Sequence, residues 1–473
     1  MNWALASLFL SLAGGLLAML VRPLARGIVL ATTSLALGGA VGALLAVQRH
    51  GEVLLAVGGW PAPLGIRFLL TPLSALLLVF GSALCWLVML YALRRPRATG
   101  GADFWALCSL LQAGLAGLWL SLDLFNLYVL LEWLGLCAVA LVALAGPRAL
   151  RPALDYLLLS LCGSLVYLLG VAVVYGEYGV LDVLVLQVSF ADSPASRLAL
   201  CLMSLGLMVK AALWPLHLWL PAAHAGAPSA VSALLSALVV KAPLYLLWLL
   251  WTQLAPADLA RQVGPAFAVA GLLALLGGGW SALRTPRLKA LVAYSTVAQL
   301  GYALLALGLL LRSGQSGLQA ALWLFVLAHG LAKVSMFLAA GELQEGFGSR
   351  RVAALRGASQ RMPLALFAFV LAGASLVGLP PSGGFLAKWL LLQPLFADPA
   401  LRPWVLAVLL GTLASAGYVF RVVALGFDRA GERPLRVASD RPAQWLALLP
   451  ALLAWGLALA GQPLLVWLSG VTR

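Results

Sequence analysis

The sequence predicts an all-α polytopic membrane protein of about fourteen transmembrane helices, with two inverted five-helix repeats and two broken helices. Three observations predict it. Of 473 residues, 63% are hydrophobic and 10% charged, with a mean hydropathy of +1.03, whereas soluble domains are roughly 45–50% apolar and about 25% charged. Apolar runs near the ~20 residues that cross a hydrocarbon core follow one another with short connections. The basic residues also crowd onto one set of loops.

Runs bounded by Arg, Gly and Pro give spans at 2–22, 26–47 and 67–94, an N-terminal unit within 1–103. Spans 104–122, 124–145, 152–175, 197–219 and 228–252 form a first repeat (104–252). Spans 264–283, 290–311, 318–340, 363–397 and 403–426 form a second (264–426), and 443–469 is a last span within 443–473. The third and twelfth runs exceed one bilayer crossing, so each is expected to be tilted or broken. An odd number of spans per repeat puts the two units in opposite orientation. The first run has no basic residue before it, and its first arginine, Arg22, follows it. An uncleaved helix is therefore expected there rather than a signal peptide.

Formal net charge is +15. In a soluble protein that would suggest nucleic acid; here the loops account for it, and the expected surroundings are a lipid bilayer with no nucleic-acid partner. Loops after odd-numbered spans hold 19 of the 30 Lys and Arg, including Arg22, Arg94, Arg95, Arg97, Arg429 and Arg433. The opposite face has seven, including Arg67, Arg197 and Arg473. The positive-inside rule makes the arginine-rich face cytoplasmic and puts both termini outside, in what is expected to be a bacterial inner membrane. Five cysteines lie singly in apolar runs without C-x-x-C spacing, so neither a metal site nor a thiol redox motif is expected.

Four basic residues belong to neither face. Lys210, Lys241, Lys333 and Lys388 lie inside apolar runs, although the chain has only five lysines against 25 arginines. A charge near the bilayer centre costs about 2.5–3.5 kcal/mol on insertion scales and normally faces a polar interior. Buried lysine can release its proton; arginine keeps it. One such lysine could snorkel or serve in a structural pair, but four in four spans point to proton handling. Glu132, in LYVLLEWLGLC, is the acid read as lying well inside a span. Paired with a lysine it would hold the lysine's proton, and withdrawing or neutralising it would let that proton go. His329 and Lys333 are one helical turn apart and share a face. His217 and His224 flank WPLHLWLPAAHAGAPSA, at the end of the seventh span and in the next loop. They are candidates for proton entry or a loop relay, or else solvated residues.

Span seven carries Trp214-Pro215 just after Lys210; span twelve carries Gly378-Leu379-Pro380-Pro381-Ser382-Gly383-Gly384 just before Lys388. Proline removes a backbone donor and glycine loosens the helix, so both spans should be interrupted. Broken helices in corresponding positions of two repeats point to an ion path, and these two are five spans apart.

Taken together, these residues resemble the antiporter-like subunits shared by respiratory complex I, membrane-bound hydrogenases and Mrp-type cation/proton antiporters. The stretch MVKAALWPLHLWLPAAHAGAPSAVSALLSALVVKAPLYLL carries the resemblance most strongly. LKALVAYSTVAQLGYALLALG, HGLAKVSMFLAAGEL and GLPPSGGFLAKW extend it over roughly 105–425. The resemblance implies that Glu132 and Lys210 form the ion pair of a first half-channel and that Lys241 is a central lysine. It likewise implies that His329 and Lys333 form a connecting site and that Lys388 is the terminal lysine. Lysine rather than glutamate at 388, and no lateral helix after the fourteenth span, fit a smaller Mrp subunit, a shorter complex I subunit or a hydrogenase-type relative. The implied function is proton translocation within a multisubunit complex, with other membrane subunits, redox subunits, protons and Na+ as the candidate partners. No flavin, quinone, haem or iron–sulfur ligand set is visible, so no cofactor is expected in this chain. Two other classes stay open: a proton-conducting subunit coupled to a soluble enzyme, such as an inorganic-carbon uptake complex, and a stand-alone organic-solute transporter.

Overall fold

The computed structural model describes residues 3–60, 65–95, 101–428, 435–438 and 440–469. Arg97, Arg429, Arg433 and Arg473, counted above toward orientation, lie outside the described residues. The chain opens with α1 (Trp3–Leu20) and α2 (Ala25–His50), then a hairpin of β1 (Val53–Ala56) and β2 (Arg67–Leu70), then α3 (Pro72–Leu93). There follow α4 (Ala102–Leu120), α5 (Leu124–Ala143), α6 (Pro147–Tyr178), the short α7 (Val183–Ser189), α8 (Pro194–Lys210) and α9 (Trp219–Gly226). α10 (Ser229–Leu234) and α11 (Lys241–Leu249) belong to one continuous helix, Ser229–Leu254. α12 (Ala257–Arg284), α13 (Leu288–Ser313), α14 (Ser316–Phe347) and the one-turn α15 (Ala358–Arg361) come next. α16 (Pro363–Val377), α17 (Gly383–Ala397), α18 (Trp404–Phe427), α19 (Arg441–Leu459) and α20 (Gly461–Ser469) complete the chain. Among the described residues, 12 helices are long and apolar enough to cross a membrane. The molecule is an integral, polytopic, helical membrane protein.

Local chemistry sets the helix ends. Pro72 stands in the first turn of α3 behind a reciprocal Thr71–Ser74 cap, an arrangement that fixes a helix start. Asp123, Ser193 and Ser382 cap α5, α8 and α17, each giving an otherwise unpaired N–H an acceptor. Burial then sorts the helices. Ser229–Leu254, α13 and α14 are apolar all round and almost wholly enclosed, as central helices must be. α2, α6, α12 and α18 turn Leu35, Leu169, Trp280 and Leu413 outward, a surface that only lipid can cover without cost. Small residues allow the tightest crossings. A Cβ on Gly271 of α12 would lie 2.5 Å from Leu305 N of α13, and one on Gly163 of α6 would lie 2.9 Å from Gly206 O of α8, close approaches of the kind that hold membrane helices together.

Several expectations need correction. The third run is not one long helix: residues 67–70 pair with 53–56 as a strand, because Thr71-Pro72 starts the helix afresh. The two breaks, by contrast, lie where they were expected: the seventh span is interrupted between Lys210 and Trp219, and the twelfth divides into α16 and α17. The run 443–469 divides at Ala460 into α19 and α20. His224 is not in a loop but inside α9, fully buried. Lys289, assigned to a loop, stands in the first turn of α13 at 7% exposure and donates to Ala227 O.

Loop contacts define two ends of the bundle. At one, Arg22 pairs with Asp103, Arg94 with Asp440 and Arg356 with Asp428, while Val352 N bonds Pro286 O. At the other, Arg67 of the hairpin pairs with buried Asp182, which bridges to Asp123, and Phe68 bridges to Ser121.

Candidate functional site

The Glu132–Lys210 pair forms where a helix stops. Val209 and Lys210 end α8, Ala212 takes a left-handed φ of 52°, and the chain resumes as a helix only at Trp219. Lys210, 7% exposed, is thereby placed at the carbonyl end of a half-helix, where the helix dipole favours a cation. Its ammonium lies 2.8 Å from Glu132 Oε1 of α5 and donates to Ser160, at 3.2 Å, and to Ser164 of α6. Ser164 in turn donates to Glu132. Gly135, one turn beyond Glu132, borders the pair: a Cβ there would lie 3.8 Å from Nζ, an ordinary contact.

Lys388 reaches the other break from its far side. Gly378 ends α16 at φ 90°, the left-handed region that glycine enters freely. Pro380 and Pro381 form the turn, and Gly383 and Gly384 begin α17. A Cβ on Gly384 would overlap Ser375 O, so glycine there lets the two half-helices overlap. The Lys388 ammonium donates to Leu376 O (3.0 Å) and Val377 O (2.9 Å), the unpaired carbonyls ending α16, and to Thr412 Oγ1 (3.2 Å). It also lies 4.4 Å over the Tyr302 ring, a cation–π contact. Both lysines therefore sit against the negative end of a broken helix.

Between them, Lys241 follows a widened turn. Val240 N–H reaches back five residues to Leu235 O, so Ser236 O loses its usual partner and accepts from Lys241 Nζ instead. Pro243 has no N–H to give and crowds the preceding turn, which accounts for the bulge. Ser236 Oγ meets Thr296 Oγ1 of α13 at 2.8 Å, and Thr296 donates to Val292 O. Lys333 Nζ donates to that same carbonyl (3.0 Å) and to Ser295 Oγ. Hydrogen bonds thus run from the Lys241 helix to Lys333. Further along α13, Gln299 donates to Ser415 and Tyr418 of α18. One turn on, Tyr302 shares Thr412 with Lys388.

Counting residues at ~1.5 Å of rise, Lys241 is about 18–20 Å from either end of its helix, and Lys333 is likewise near the middle of α14. Both of these lysines therefore stand near the middle of their helices. His329 lies within electrostatic range of Lys241 and Lys333, stacked on Phe325. His224 stacks on Phe337. Neither ring has a hydrogen-bond partner at either nitrogen. His217 stands in the first break, edge-on to Tyr294. Among the described residues no group of His, Cys, Asp or Glu could hold a metal ion.

Sequence reasoning missed two buried acids, Asp182 beside the hairpin and Glu342. Glu342, 1% exposed and two residues past the expected end of the eleventh span, is inside α14. Tyr91 donates to it at 2.7 Å and Arg95 forks onto both its oxygens. Removing one member of such a pair strands a buried charge. Arg95→Met should therefore lower stability by about 3–5 kcal/mol, read as an earlier thermal loss of the assembled protein. Adding Glu342→Met should restore most of the loss, since a matched apolar pair is close to neutral; a double variant no better than the single would contradict this account.

Residues 121–415, which include Glu132, Lys210, Lys241, His329, Lys333 and Lys388, match the family model described as NADH:quinone oxidoreductase/Mrp antiporter, transmembrane. The chain belongs to this family. NADH-quinone oxidoreductase subunit N of Desulforudis audaxviator is 37% identical over 449 residues, covering 92% of this chain and 87% of its own length. A probable K(+)/H(+) antiporter component of Rhizobium meliloti is 31% identical over 381 residues, covering 74% and 69%. A chain of the membrane-bound sulfane sulfur reductase, an archaeal respiratory membrane complex, superposes with a TM-score of 0.91 at 26% identity, covering 100% of this chain and 97% of that one. As a member of the NADH:quinone oxidoreductase/Mrp antiporter family, the chain is an antiporter-like integral membrane subunit.

Proposed function

We propose that this chain translocates protons within a multisubunit membrane complex, along the row Glu132–Lys210, Lys241, His329/Lys333 and Lys388. The observation that carries the proposal is the chemistry of the row. Four of the five buried lysines stand here in four different helices, and of these four only Lys210 has an acidic partner among the described residues. The others are held by carbonyl and hydroxyl oxygens. Such acceptors suit an amine that gains and loses a proton, because the N–H bonds to carbonyls survive in both states and a hydroxyl can donate to the neutral amine. In this reading the Glu132–Lys210 pair is the switch.

The same proposal takes the chain as fourteen spans, the two broken helices counting as one each and α19 with α20 as the last. Residues 104–252 and 264–426 are then inverted repeats. Support comes from direction: α4 starts at the arginine-rich end of the bundle, whereas α12 starts at the end that carries the hairpin. The arginine-rich end would face the cytoplasm, with both termini opposite. Higher identity to the oxidoreductase subunit over nearly the whole chain favours redox subunits as partners over a gradient-driven assembly.

The test is to purify the native complex in mild detergent, identify its subunits by mass spectrometry and reconstitute it into liposomes containing a pH-sensitive dye. Iron–sulfur, flavin or nickel subunits and proton movement driven by their substrate are expected. Small hydrophobic companions alone would replace the redox reading with a cation/proton exchanger, and no proton movement under either driving force would overturn the proposal.

A further inference from the structure

At the end of the bundle opposite the arginines, a cavity of about 210 Å³ opens between the hairpin, α7 and the helix that carries Lys241. Exposed Glu52 and Gln187 stand at its mouth, Gln253, Ser121 and Thr71 along its walls, and Tyr245 and Trp248 at its base. There is room for several waters, at about 30 Å³ each in the liquid. Lys241 is one helical turn from Tyr245 on the same helix, so the two share a face.

Behind the cavity wall lie two unpaired donors. Trp248, 5% exposed, has an indole N–H with no hydrogen-bond partner, and so does Trp323, 1% exposed, whose ring meets it edge-on at 5.4 Å. Buried indole N–H groups normally find an acceptor. Tyr245 packs against both rings, and its own hydroxyl is held by Trp119 O at 3.3 Å, at the end of α4. The polar mouth leads inward to Tyr245 and Trp248, which stand one and two turns from Lys241 on the same helix.

We propose that this cavity is a water-filled vestibule through which protons pass between Lys241 and the face opposite the arginines, with Tyr245 and Trp248 at its narrowest point. The inference rests on the proton-translocation reading above and adds to it a route that meets the row at its middle rather than at Lys388. Protons travel as hydronium along the waters and exchange at the Lys241 amine; no other reactant is consumed.

The experiment uses the whole complex in liposomes, with the exposed Cys162 and Cys201 replaced by alanine. Single cysteines are introduced as Gln253→Cys, Leu249→Cys at the cavity wall, and Leu247→Cys, which is buried on the same helix but outside the lining. A charged, membrane-impermeant methanethiosulfonate is then added from each side. Positions 253 and 249 should react from the face opposite the arginines and position 247 from neither. Reaction should reduce proton translocation at least about tenfold relative to the same sample before labelling, the scale of one obstructed proton-transfer step. Position 249 inert, reactive from the arginine-rich side, or reactive with translocation unchanged overturns the vestibule. Should Leu249→Cys fail to assemble, Gln253→Trp fills the cavity from its half-buried wall and must slow translocation comparably; an unchanged rate again overturns it. A parent complex that moves no protons overturns the underlying reading instead, so the two failures are separable.

Discussion

Lys210→Ala should stop proton translocation by the assembled complex, with a loss of at least about a hundredfold, the lower range for removing an acid–base group. Glu132→Gln should have a loss of the same order, because the amide keeps the shape and a hydrogen bond to Ser164 but cannot hold or surrender a charge. Lys210→Arg is the informative variant. Guanidinium can still pair with Glu132 and can even fork onto it, so a merely structural pair would be preserved. Arginine does not release its proton, so a switch would be disabled. The measurement is dye-reported proton uptake in liposomes, alongside thermal stability of the same preparations. Transport retained in Lys210→Arg would reduce the pair to a structural contact. Lys210→Ala should also lose some stability, since it leaves Glu132 with hydroxyl partners alone. That cost is moderated by solvent, because the Glu132 side chain is 22% exposed.

What the sequence made legible follows from what hydropathy can register. A lysine or a glutamate inside an apolar run stands out, so Lys210, Lys241, Lys333, Lys388 and Glu132 could be singled out one by one. The 2.8 Å contact between Glu132 and Lys210, 78 positions apart, depends on how α5, α6 and α8 pack, and spacing along the chain carries no trace of it. Small hydroxyls escape altogether. Ser164, Ser236, Ser295 and Thr296 sit among alanines and leucines without disturbing the hydropathy, yet they supply most of the hydrogen bonds that link the lysines. Glu342 was passed over because it falls just past the apolar run, where a polar residue reads as a helix end. Its partners, Tyr91 in the last turn of α3 and Arg95 just past that helix, lie some 250 residues earlier.

Backbone features divide the same way. Pro215 and the Gly378–Gly384 segment announced the two breaks, since proline and glycine act locally. Thr71-Pro72 carried an equally local signal for the start of α3, a cap followed by proline, but the leucines on both sides concealed it and the strand before it was read as helix. Pro243, beside the bulge at Lys241, was not singled out. Its effect is to free one carbonyl, Ser236 O, and that carbonyl becomes meaningful only beside the lysine that takes it.

Lys333→Met should abolish translocation while leaving stability equal or higher, and this opposition of effects makes it the sharpest test of the row. Lys333 is fully buried, without an acid partner among the described residues, and held by Val292 O and Ser295 Oγ. A structure selected for stability alone gains little from a cation there, since taking an ammonium out of water costs several kcal/mol that neutral acceptors only partly offset. Methionine fills a similar volume without charge, so the variant is expected to melt at the same temperature or above it. A group that relays protons, in contrast, has to be ionisable, and Lys333 joins the Ser236–Thr296 contact on one side to the Ser295, Gln299 and Tyr418 groups on the other. Translocation should fall at least about a hundredfold, and Lys333→Arg should fail as completely, because a fixed charge blocks a relay as surely as a missing one. If Lys333→Met melts earlier and still translocates, the lysine is a packing element whose bonds hold α13 to α14. If it melts normally and translocates normally, protons cross without it, and the Ser236–Thr296 bridge would have to lead to Lys388 by another way.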